Sequence, residues 1–501
     1  MSTARLSLDP AFVVGPVRAR TFGSFAEHMG RCVYTGIYEP DHPGADADGL
    51  RTDVLDLVSE LGVTTVRYPG GNFVSGYRWE DGVGPRDQRP ARLDLAWHST
   101  EPNTFGVDEF IRWTAKAGVE PMMAVNLGTR GVAEALDLLE YCNVSGGTAL
   151  SDLRRANGAR QPHNIRMWCL GNEMDGPWQV GHKTAEEYGR LAAETARAMR
   201  MIDPDLTLIA CGSSGAGMPT FGTWEQTVLS HTYEQVDLIS AHAYYYEDDG
   251  DLASFLASAT DMDYFIESVA ATADAVRAAG EHTKRIGISF DEWNVWYQHR
   301  AASRPPSGDD WPVAPVLLED RYNVADAVVV GNLLISLLRH TDRVHAASLA
   351  QLVNVIAPIM TEPGGRAWRQ TTFHPFALTA AHARGEVLQV AIDAPVLETG
   401  KHGPVPEIDA VATREPESGR VALFCVNRSL DRDTLVQVDV RGLGALQVEQ
   451  CVTLSNPDHT WSATADDATS VLPRHNDTAA ADEGAVTMSV PPVSWTMLTL
   501  V

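Results

Sequence analysis

Strand-like and helical segments alternate along residues 20–385, and this alternation constrains the fold more than any other feature of the sequence. Each short apolar run is followed by a stretch with apolar residues at helical spacing. The strand-like runs cover residues 21–28, 63–70, 120–128, 165–173, 206–212, 236–244, 286–293 and 344–352. The helical patterns cover residues 50–62, 107–118, 131–142, 184–199, 223–231, 263–280, 324–340 and 376–383.

Eight strands, each followed by a helix, predict an α/β fold of the (β/α)8 TIM-barrel type over residues 18–385. A doubly wound parallel sheet is the main alternative. That fold usually has fewer strands and a glycine-rich first turn, and no G-x-G-x-x-G pattern follows the first strand here. The pattern therefore favours the barrel.

After residue 385 the helical periodicity ends and short alternating strands separated by turn residues take its place. This pattern predicts a C-terminal antiparallel β-sandwich of jelly-roll-like form over residues 386–501. Residues 1–17 are expected to add a strand to it. The predicted strands cover residues 387–393, 420–427, 434–440, 446–454, 485–490 and 494–501.

The charge balance and the cysteines bound the environment and the ligands. The chain has 39 Lys and Arg against 66 Asp and Glu, a formal charge of −27. Repulsion disfavours nucleic acid, anionic membranes and polyanionic substrates. Six cysteines without CxxC spacing indicate buried thiols in a reducing compartment, and no zinc site. Because the N-terminal stretch lacks an apolar h-region, we expect a cytoplasmic protein.

Polar side chains stand where the predicted barrel strands end. The C-terminal ends of the strands carry the active site in this fold, so these side chains are expected to converge on one rim. They are Glu27, Arg67, Asn72, Asn126, Asn172, Glu173, His242, Tyr244, Glu292 and Gln351. Four tryptophans, Trp97, Trp178, Trp293 and Trp296, offer flat apolar faces for sugar rings near the same rim.

Glu173 and Glu292 end the fourth and seventh strands, so they face each other across the predicted mouth. Paired carboxyl groups suit glycosidic cleavage, because one protonates the leaving oxygen while the other attacks the anomeric carbon or activates water. A separation of about 5 Å would imply a covalent intermediate and retention, and about 6.5–9.5 Å would imply inversion. The amide of Asn172 is placed to bind a sugar hydroxyl, and Tyr244 to donate to Glu292.

Several segments, in order along the chain, resemble the intracellular α-L-arabinofuranosidases of glycoside hydrolase family 51. The most specific is GNEMDGPWQVGHKTAEEYG at 171–189. The others are FGSFAEHMGRCVYTGIYEP at 22–40, VRYPGGNFVSGYRWEDGVGP at 66–85, EPNTFGVDEF at 101–110, EPMMAVNLGTRG at 120–131, ISAHAYY at 239–245, FDEWNVWY at 290–297 and LAQLVNVIAPI at 349–359.

The resemblance implies an exo-acting, retaining hydrolase that releases terminal α-L-arabinofuranosyl residues, with Glu173 as acid/base and Glu292 as nucleophile. It implies no metal or other cofactor, and a homo-hexamer. It assigns sugar contacts to Glu27, Asn72, Asn172, Tyr244 and Gln351, and support of the nucleophile and pocket to Arg67 and His242.

Two other interpretations stay open from the residues themselves. The first keeps the clan and changes the sugar, giving a β-xylosidase, a β-galactosidase or an endoglucanase. The second is a non-catalytic sugar-binding protein on a barrel scaffold. The presence of both carboxylates disfavours the second interpretation, because a binding protein does not need an acid and a nucleophile.

Overall fold

The computed structural model describes residues 2–299 and 303–501. The helices of these residues are α1 (Thr52–Leu61), α2 (Val107–Ala117), α3 (Val132–Asn143), α4 (Ala149–Ala156), α5 (Ala185–Ile202), α6 (Thr223–Thr232), α7 (Leu252–Leu256), α8 (Ala259–Ala279), α9 (Val324–Arg339) and α10 (Phe373–His382).

The strands fall into a barrel, a large sheet and three short hairpins. In chain order they are β1 (Ser2–Pro16), β2 (Gly23–Phe25), β3 (Thr65–Tyr68), β4 (Arg92–Asp94), β5 (Ser99–Glu101), β6 (Glu120–Ala124), β7 (Met167–Leu170), β8 (Thr207–Ala210), β9 (Leu238–Tyr245), β10 (Gly287–Val295), β11 (Val344–Leu349), β12 (Ile359–Thr361), β13 (Ala367–Arg369), β14 (Glu386–Asp393), β15 (Val396–Thr399), β16 (Gly403–Pro406), β17 (Ile408–Arg414), β18 (Val421–Asn427), β19 (Thr434–Asp439), β20 (Val448–Leu454), β21 (Arg474–His475), β22 (Ala480–Asp482), β23 (Ala485–Val490) and β24 (Ser494–Leu500).

Eight parallel strands close into a barrel in the order β2-β3-β6-β7-β8-β9-β10-β11, so the predicted TIM barrel is confirmed. Side chains of β6, β7, β8 and β9 fill its interior with Met122, Met167, Ile209 and Leu238. The barrel is therefore a packed core rather than a pore, and its upper rim is the surface left for a site.

The C-terminal part forms one ten-stranded, mostly antiparallel sheet in the order β21-β20-β24-β18-β17-β14-β1-β19-β23-β22, which confirms the predicted second architecture. β1 lies inside this sheet, antiparallel to β14 and parallel to β19. β14 begins at Glu386, and the division of the chain into domains at that point stays a prediction.

Helix α9 lies between the barrel and the sheet, and this position explains its composition. Its residues Val324–Leu338 are all buried, whereas a helix on the surface would show a polar face. Gly331 lets the sheet approach closely, because a Cβ there would lie 2.2 Å from Cδ1 of Trp495 on β24. The two parts of the chain therefore share one continuous apolar interface.

Candidate active site

The turn after β7 presents Glu173. β7 ends at Leu170, and the next three residues include two left-handed ones, Gly171 at φ 98° and Glu173 at φ 43°. A non-glycine residue adopts such a φ rarely, and usually where the surrounding structure imposes it. The turn lifts Glu173 from the end of the strand into the barrel mouth, where it is only 8% exposed.

A bulge in β10 turns two adjacent carboxyl groups toward the barrel axis. Against β9, Ser289 pairs with Ser240 and Glu292 pairs with His242, so β10 has one extra residue in this interval. A bulge breaks the alternation of side chains between the two faces of a strand. Asp291 and Glu292 therefore both reach the polar cluster inside the mouth, and both are buried.

His242 on β9 connects the carboxyl groups. Its Nδ1 lies 2.9 Å from Glu173 Oε1 and 3.6 Å from Glu292 Oε2, and its Nε2 lies 2.9 Å from Asp291 Oδ1. One carboxylate oxygen of Glu173, one of Glu292 and a ring nitrogen of His242 all lie within 4.8 Å of one another. The two candidate catalytic carboxyl groups thus approach to within that distance.

Electrostatics favour a charged His242. Burial alone would lower its pKa, but the Glu292, Asp291 and Glu173 carboxylates outweigh burial and raise the pKa well above its usual value. For Asp291, burial would raise the pKa, but Arg67 and His242 outweigh it and lower the pKa. The two groups therefore form a buried ion pair that fixes the orientation of the imidazole.

Glu292 is surrounded by donors. Arg67 Nη1 donates to its Oε1 at 2.7 Å, and the Tyr244 hydroxyl donates to its Oε2 at 2.8 Å. Burial raises the pKa of Glu292 and the Glu173 carboxylate acts in the same direction, while His242, Arg67 and the Tyr244 hydrogen bond lower it. On balance the pKa of Glu292 is raised, because burial and the Glu173 charge outweigh the donors, and the donors hold the carboxyl group in one orientation.

Glu173 has a different environment. Trp178 Nε1 donates to its Oε2 at 2.7 Å, and the Trp178 side chain is 50% exposed. The acid candidate therefore lies at the solvent side of the mouth, whereas the nucleophile candidate lies deeper against Arg67. This asymmetry matches two carboxyl groups with two different roles.

Glu27 anchors the opposite wall. It accepts from the Phe73 backbone N–H and Trp97 Nε1, each at 2.9 Å, and from Gln351 Nε2 at 3.1 Å. Burial raises the pKa of Glu27 to about 8, and the Glu292 charge adds to this while the Phe73 and Trp97 hydrogen bonds oppose it.

Arg67 and Asn172 lie behind the cavity wall. Arg67 Nη2 donates to Asn172 Oδ1 at 2.7 Å, and its guanidinium lies 4.9 Å from the Phe25 ring centroid. Asn72, at 3.4 Å from Asn172 Nδ2, also accepts from Gln179. The amide of Asn72 is thereby held at the cavity surface.

A cavity of about 380 Å³ opens between these groups. Its lining includes seven of the ten predicted site residues: Glu27, Asn72, Glu173, Tyr244, Glu292, Trp296 and Gln351. The other three, Arg67, Asn172 and His242, are buried behind it and hydrogen bond to it or to each other. One compact site therefore contains these ten residues, which are the predicted rim residues with Trp296 in place of Asn126.

Two rim candidates lie elsewhere. Asn126 is used inside its own loop, where Nδ2 donates to the Tyr77 carbonyl and Oδ1 accepts from Gly128 N. Trp293 is fully buried in the apolar core, so it offers no face to a sugar. Alternation along β10 explains this, because Glu292 faces the barrel mouth and the next residue, Trp293, therefore faces the apolar core on the other side of the strand.

Sequence reasoning missed Asp291 and Gln179 as members of the site. The available signal for Asp291 was an acidic pair, Asp291 and Glu292, inside an otherwise apolar strand. Glu173, His242 and Glu292 are also the residues whose ligand atoms lie close enough to hold a cation. Each of these atoms already has a hydrogen-bonding partner, and the expected absence of a metal cofactor stays a prediction.

Two family models match the chain. One, described as the alpha-L-arabinofuranosidase 1 domain, covers residues 57–251, and the other, the alpha-L-arabinofuranosidase C-terminal domain, covers residues 291–494. A relative from Streptomyces lividans, named intracellular exo-alpha-(1->5)-L-arabinofuranosidase, is 59% identical over 99% of this chain and 75% of its own length. The chain belongs to the α-L-arabinofuranosidases of glycoside hydrolase family 51.

Further members of this arabinofuranosidase family are similar to the chain over nearly its full length, in sequence and in structure. An exo-alpha-(1->6)-L-arabinofuranosidase from Bifidobacterium longum is 58% identical over 99% of this chain and 97% of its own length. A solved family 51 α-L-arabinofuranosidase from the same organism superposes with a TM-score of 0.96, at 51% identity and complete coverage of both chains. The barrel and the sheet are thus both features of the family.

Among the described residues of this arabinofuranosidase, no helix combines the length and the apolar character needed to cross a bilayer.

Proposed function

We propose that the protein is an exo-acting, retaining α-L-arabinofuranosidase that removes terminal non-reducing arabinofuranosyl residues from arabino-oligosaccharides derived from arabinan or arabinoxylan. The observation that carries this proposal is the approach of Glu173 and Glu292 to within 4.8 Å across a small cavity. A separation of about 5 Å suits direct attack on the anomeric carbon, whereas inversion needs room for a water molecule between them.

In the first step Glu173 donates its proton to the leaving oxygen while Glu292 attacks the anomeric carbon. The bond between that carbon and the leaving oxygen breaks, and an ester bond to Glu292 forms. The released alcohol keeps the proton. Arg67 and Tyr244 hold the Glu292 oxygens at 2.7 and 2.8 Å, which orients the attacking lone pair.

In the second step Glu173, now a carboxylate, removes a proton from water. The water oxygen attacks the same carbon from the side that the leaving group vacated, and Glu292 leaves as a carboxylate. Two displacements return the original configuration. The exposed position of Trp178 beside Glu173 is consistent with water entering on this side.

Recognition of the sugar falls to the cavity wall. Glu27, Asn72 and Gln351 present fixed polar atoms, and Trp296 closes one side, held by Tyr244 at a ring-centroid distance of 5.1 Å. Arg67, Asn172 and His242 support this wall from behind. A cavity of about 380 Å³ that ends on the buried carboxyl group of Glu292 has room for a terminal sugar and not for a polymer threading through it, which supports exo action.

The linkage of the cleaved bond is a separate property. Relatives named for 1→5 and for 1→6 linkages are 59% and 58% identical to this chain, so overall identity does not distinguish them. The proposal specifies the sugar removed, and the linkage is measured directly by comparing arabinobioses of each type.

The test is hydrolysis of 4-nitrophenyl α-L-arabinofuranoside beside the β-D-xylopyranoside and the β-D-glucopyranoside, with the first-formed anomer followed by NMR. The proposal expects rapid release from the arabinofuranoside with retained configuration. Preference for a pyranoside would assign the enzyme to the β-xylosidase or endoglucanase alternative, and an inverted product would remove Glu292 from the role of nucleophile.

We further propose that the enzyme acts inside the cell, since relatives at 49–59% identity are named intracellular, and that it assembles as a homo-hexamer, as the family resemblance implies. Analytical ultracentrifugation at several concentrations tests the assembly. A single species at the protomer mass of 54.4 kDa would exclude the hexamer.

A further inference from the structure

A second cavity, of about 550 Å³, lies beside the active-site cavity. Two short segments contribute to both. In the first segment, Asp94 and Leu95 line the second cavity, and the next residues, Ala96 and Trp97, line the active-site cavity. In the second segment, Trp178 lines the active-site cavity and Val180 lines the second cavity. The second cavity is therefore the next compartment along the mouth, separated by a thin wall from the candidate catalytic carboxyl groups.

The wall lies on the side from which a leaving group departs. Glu173, the proposed acid, protonates the leaving oxygen, and Trp178 donates to this carboxyl group at 2.7 Å. The aglycone consequently leaves along Trp178, which is half exposed, toward Val180 and the second cavity. This location suits the part of the substrate beyond the cleaved bond.

Most charges that line the second cavity are neutralised by neighbours. Arg92 donates to Asp81 at 2.9 Å, and Arg130 donates to a carboxylate outside the cavity, Glu80, at 2.6 Å. Glu101 accepts from His28 at 2.8 Å. These pairs are protein-internal contacts that leave little charge for a ligand.

The acids that remain are also engaged. Glu134 accepts from the Gly131 backbone N–H at 3.1 Å, at the N-terminus of α3. Asp94 accepts from the Ala96 and Trp97 backbone N–H groups, and burial raises its pKa to about 7 despite those bonds. A partly protonated Asp94 repels an incoming anion less than an ionised one would.

Arg78 is the exception. It lines the second cavity, and its exposed side chain has no hydrogen-bonding or ion-pairing partner among the described residues. Arg78 thus differs from the other charged side chains that line this cavity, each of which is hydrogen bonded or ion paired. Leu93 and Leu95, which are 58% and 63% exposed, place apolar surface beside it, as a sugar ring requires.

We propose that the second cavity binds an aglycone that carries a carboxylate, as a uronic acid substituent does, with Arg78 pairing that carboxylate. This inference rests on the proposed function, because it describes the remainder of the same substrate. The guanidinium fork matches carboxylate geometry, which a neutral sugar lacks. The formal charge of −27 opposes a polyanion, but screening over about 10 Å makes the nearest charge decisive for a single carboxylate.

The experiment compares two arabinofuranosyl-substituted xylo-oligosaccharides that differ only in one glucuronic acid substituent on the xylose chain. For the wild-type enzyme the acidic substrate should have a kcat/KM about threefold to fivefold higher, the range of an exposed ion pair. Arg78→Gln should bring the ratio to about one, and Arg78→Glu below one. Added salt should reduce the wild-type ratio and leave the variants unchanged.

Arg160→Gln is the matched control, since Arg160 is exposed, outside the cavity and changes the net charge equally. Activity of every variant on 4-nitrophenyl α-L-arabinofuranoside should equal that of the wild type, because this leaving group carries no carboxylate. Equal wild-type values for both oligosaccharides, or equal effects of Arg78→Gln and Arg160→Gln, would overturn the inference. Failure of the wild type on the aryl arabinofuranoside would instead overturn the proposed function.

Discussion

A cluster of buried charges lies at the mouth of the barrel, and another lies where the barrel meets the sheet. The mouth cluster combines Glu173, Asp291 and Glu292 with Arg67 and His242. With His242 protonated, three carboxyl groups face two cations. One negative charge is in excess, and the cavity opens onto two of the carboxyl groups.

The second cluster is balanced. Asp409 on β17 accepts from Arg428 at 2.8 Å, from Asn332 at 2.7 Å and from Arg339, which also donates to Asp263 at 2.6 Å. Two carboxylates here face two guanidinium groups. Burial would raise the pKa of Asp409, but Arg339 and Arg428 outweigh it and lower the pKa.

The difference in charge balance shows that one cluster stabilises the fold and that the other is suited to chemistry. A balanced cluster with saturated acceptors stays ionised and joins two parts of the fold. A cluster with one carboxylate too many favours uptake of one proton, because an uncompensated buried charge is costly. That single mobile proton is what acid/base catalysis needs.

Removal of the nucleophile should have the largest effect. Glu292→Ala should lower kcat on all arabinofuranosides by at least about 10⁴-fold, since no other group can form the ester. The readout is release of 4-nitrophenol. Glu417→Ala, which changes an exposed glutamate in the turn between β17 and β18, is the control and should be fully active. Substantial turnover by the Glu292 variant would move the nucleophile elsewhere.

Loss of the proton donor should depend on the substrate. Glu173→Ala should reduce kcat/KM on an arabino-oligosaccharide by about 10²–10⁴-fold, the range of general acid catalysis. The loss should be smaller on 4-nitrophenyl α-L-arabinofuranoside, whose leaving group needs little protonation. Equal losses on both substrates would contradict the acid role.

Breaking the balanced cluster should cost stability and leave the chemistry intact. Asp409→Ala leaves the buried Arg428 guanidinium without a carboxylate and leaves Arg339 with Asp263 alone, and we expect about 3–5 kcal/mol lower free energy of unfolding. Urea denaturation measures the change, and Asp431→Ala, whose side chain is 80% exposed, should change it by less than about 0.5 kcal/mol. Equal stability of the two variants would show that the cluster is dispensable. Folded Asp409→Ala should retain the wild-type kcat.

Glu27 gives a pH-dependent test at the edge of the mouth cluster. Its pKa of about 8 exceeds the unfolded value near 4.5, so between these pH values the folded protein holds a proton that the unfolded chain has lost. This contribution stabilises the fold at pH 4.5 and is lost as the pH rises to 8. Unfolding free energies of wild type and Glu27→Gln at pH 5 and 8 should differ in slope, the wild type losing on the order of a few kcal/mol more. Parallel slopes would indicate that Glu27 is ionised throughout.

The smallest expected effect is that of metal removal. Dialysis against EDTA should leave kcat/KM unchanged, because the mouth cluster is compensated by Arg67 and His242 rather than by a cation. Activity that falls and then returns on addition of a divalent cation would assign Glu173, His242 and Glu292 a ligand role.

The barrel strands were predictable because each is a short apolar run with turn residues at its end, and the helices because their apolar spacing is regular. Two helices were missed. α7 has five residues, too few to show a period, and α4 begins with a Thr148 cap in a polar segment. β17 was missed as well, since its residues IDAVATR mix charge into a strand that is buried on both faces.

The site was predictable at the level of residues and not of contacts. Strand ends meet in this fold, so Glu173, Tyr244 and Glu292 could be placed together from their positions alone. Asp291 could not, because a strand read with strict alternation sends it to the opposite face from Glu292, and only the bulge in β10 reverses that. The hydrogen bond from Trp178 to Glu173 was likewise unpredictable, because it depends on a loop conformation and loops show no periodic sequence pattern.

The position of β1 has a consequence for synthesis. Residues 2–16 are synthesised before the barrel, yet their partners β14 and β19 begin only after it, at Glu386 and Thr434. The residues of β1 therefore have no strand partner until the whole barrel has been synthesised. Once inserted, β1 connects β14 and β19 within the sheet. Proteolytic removal of residues 2–16 would therefore separate the sheet into two parts without any cleavage near the sugar cavity.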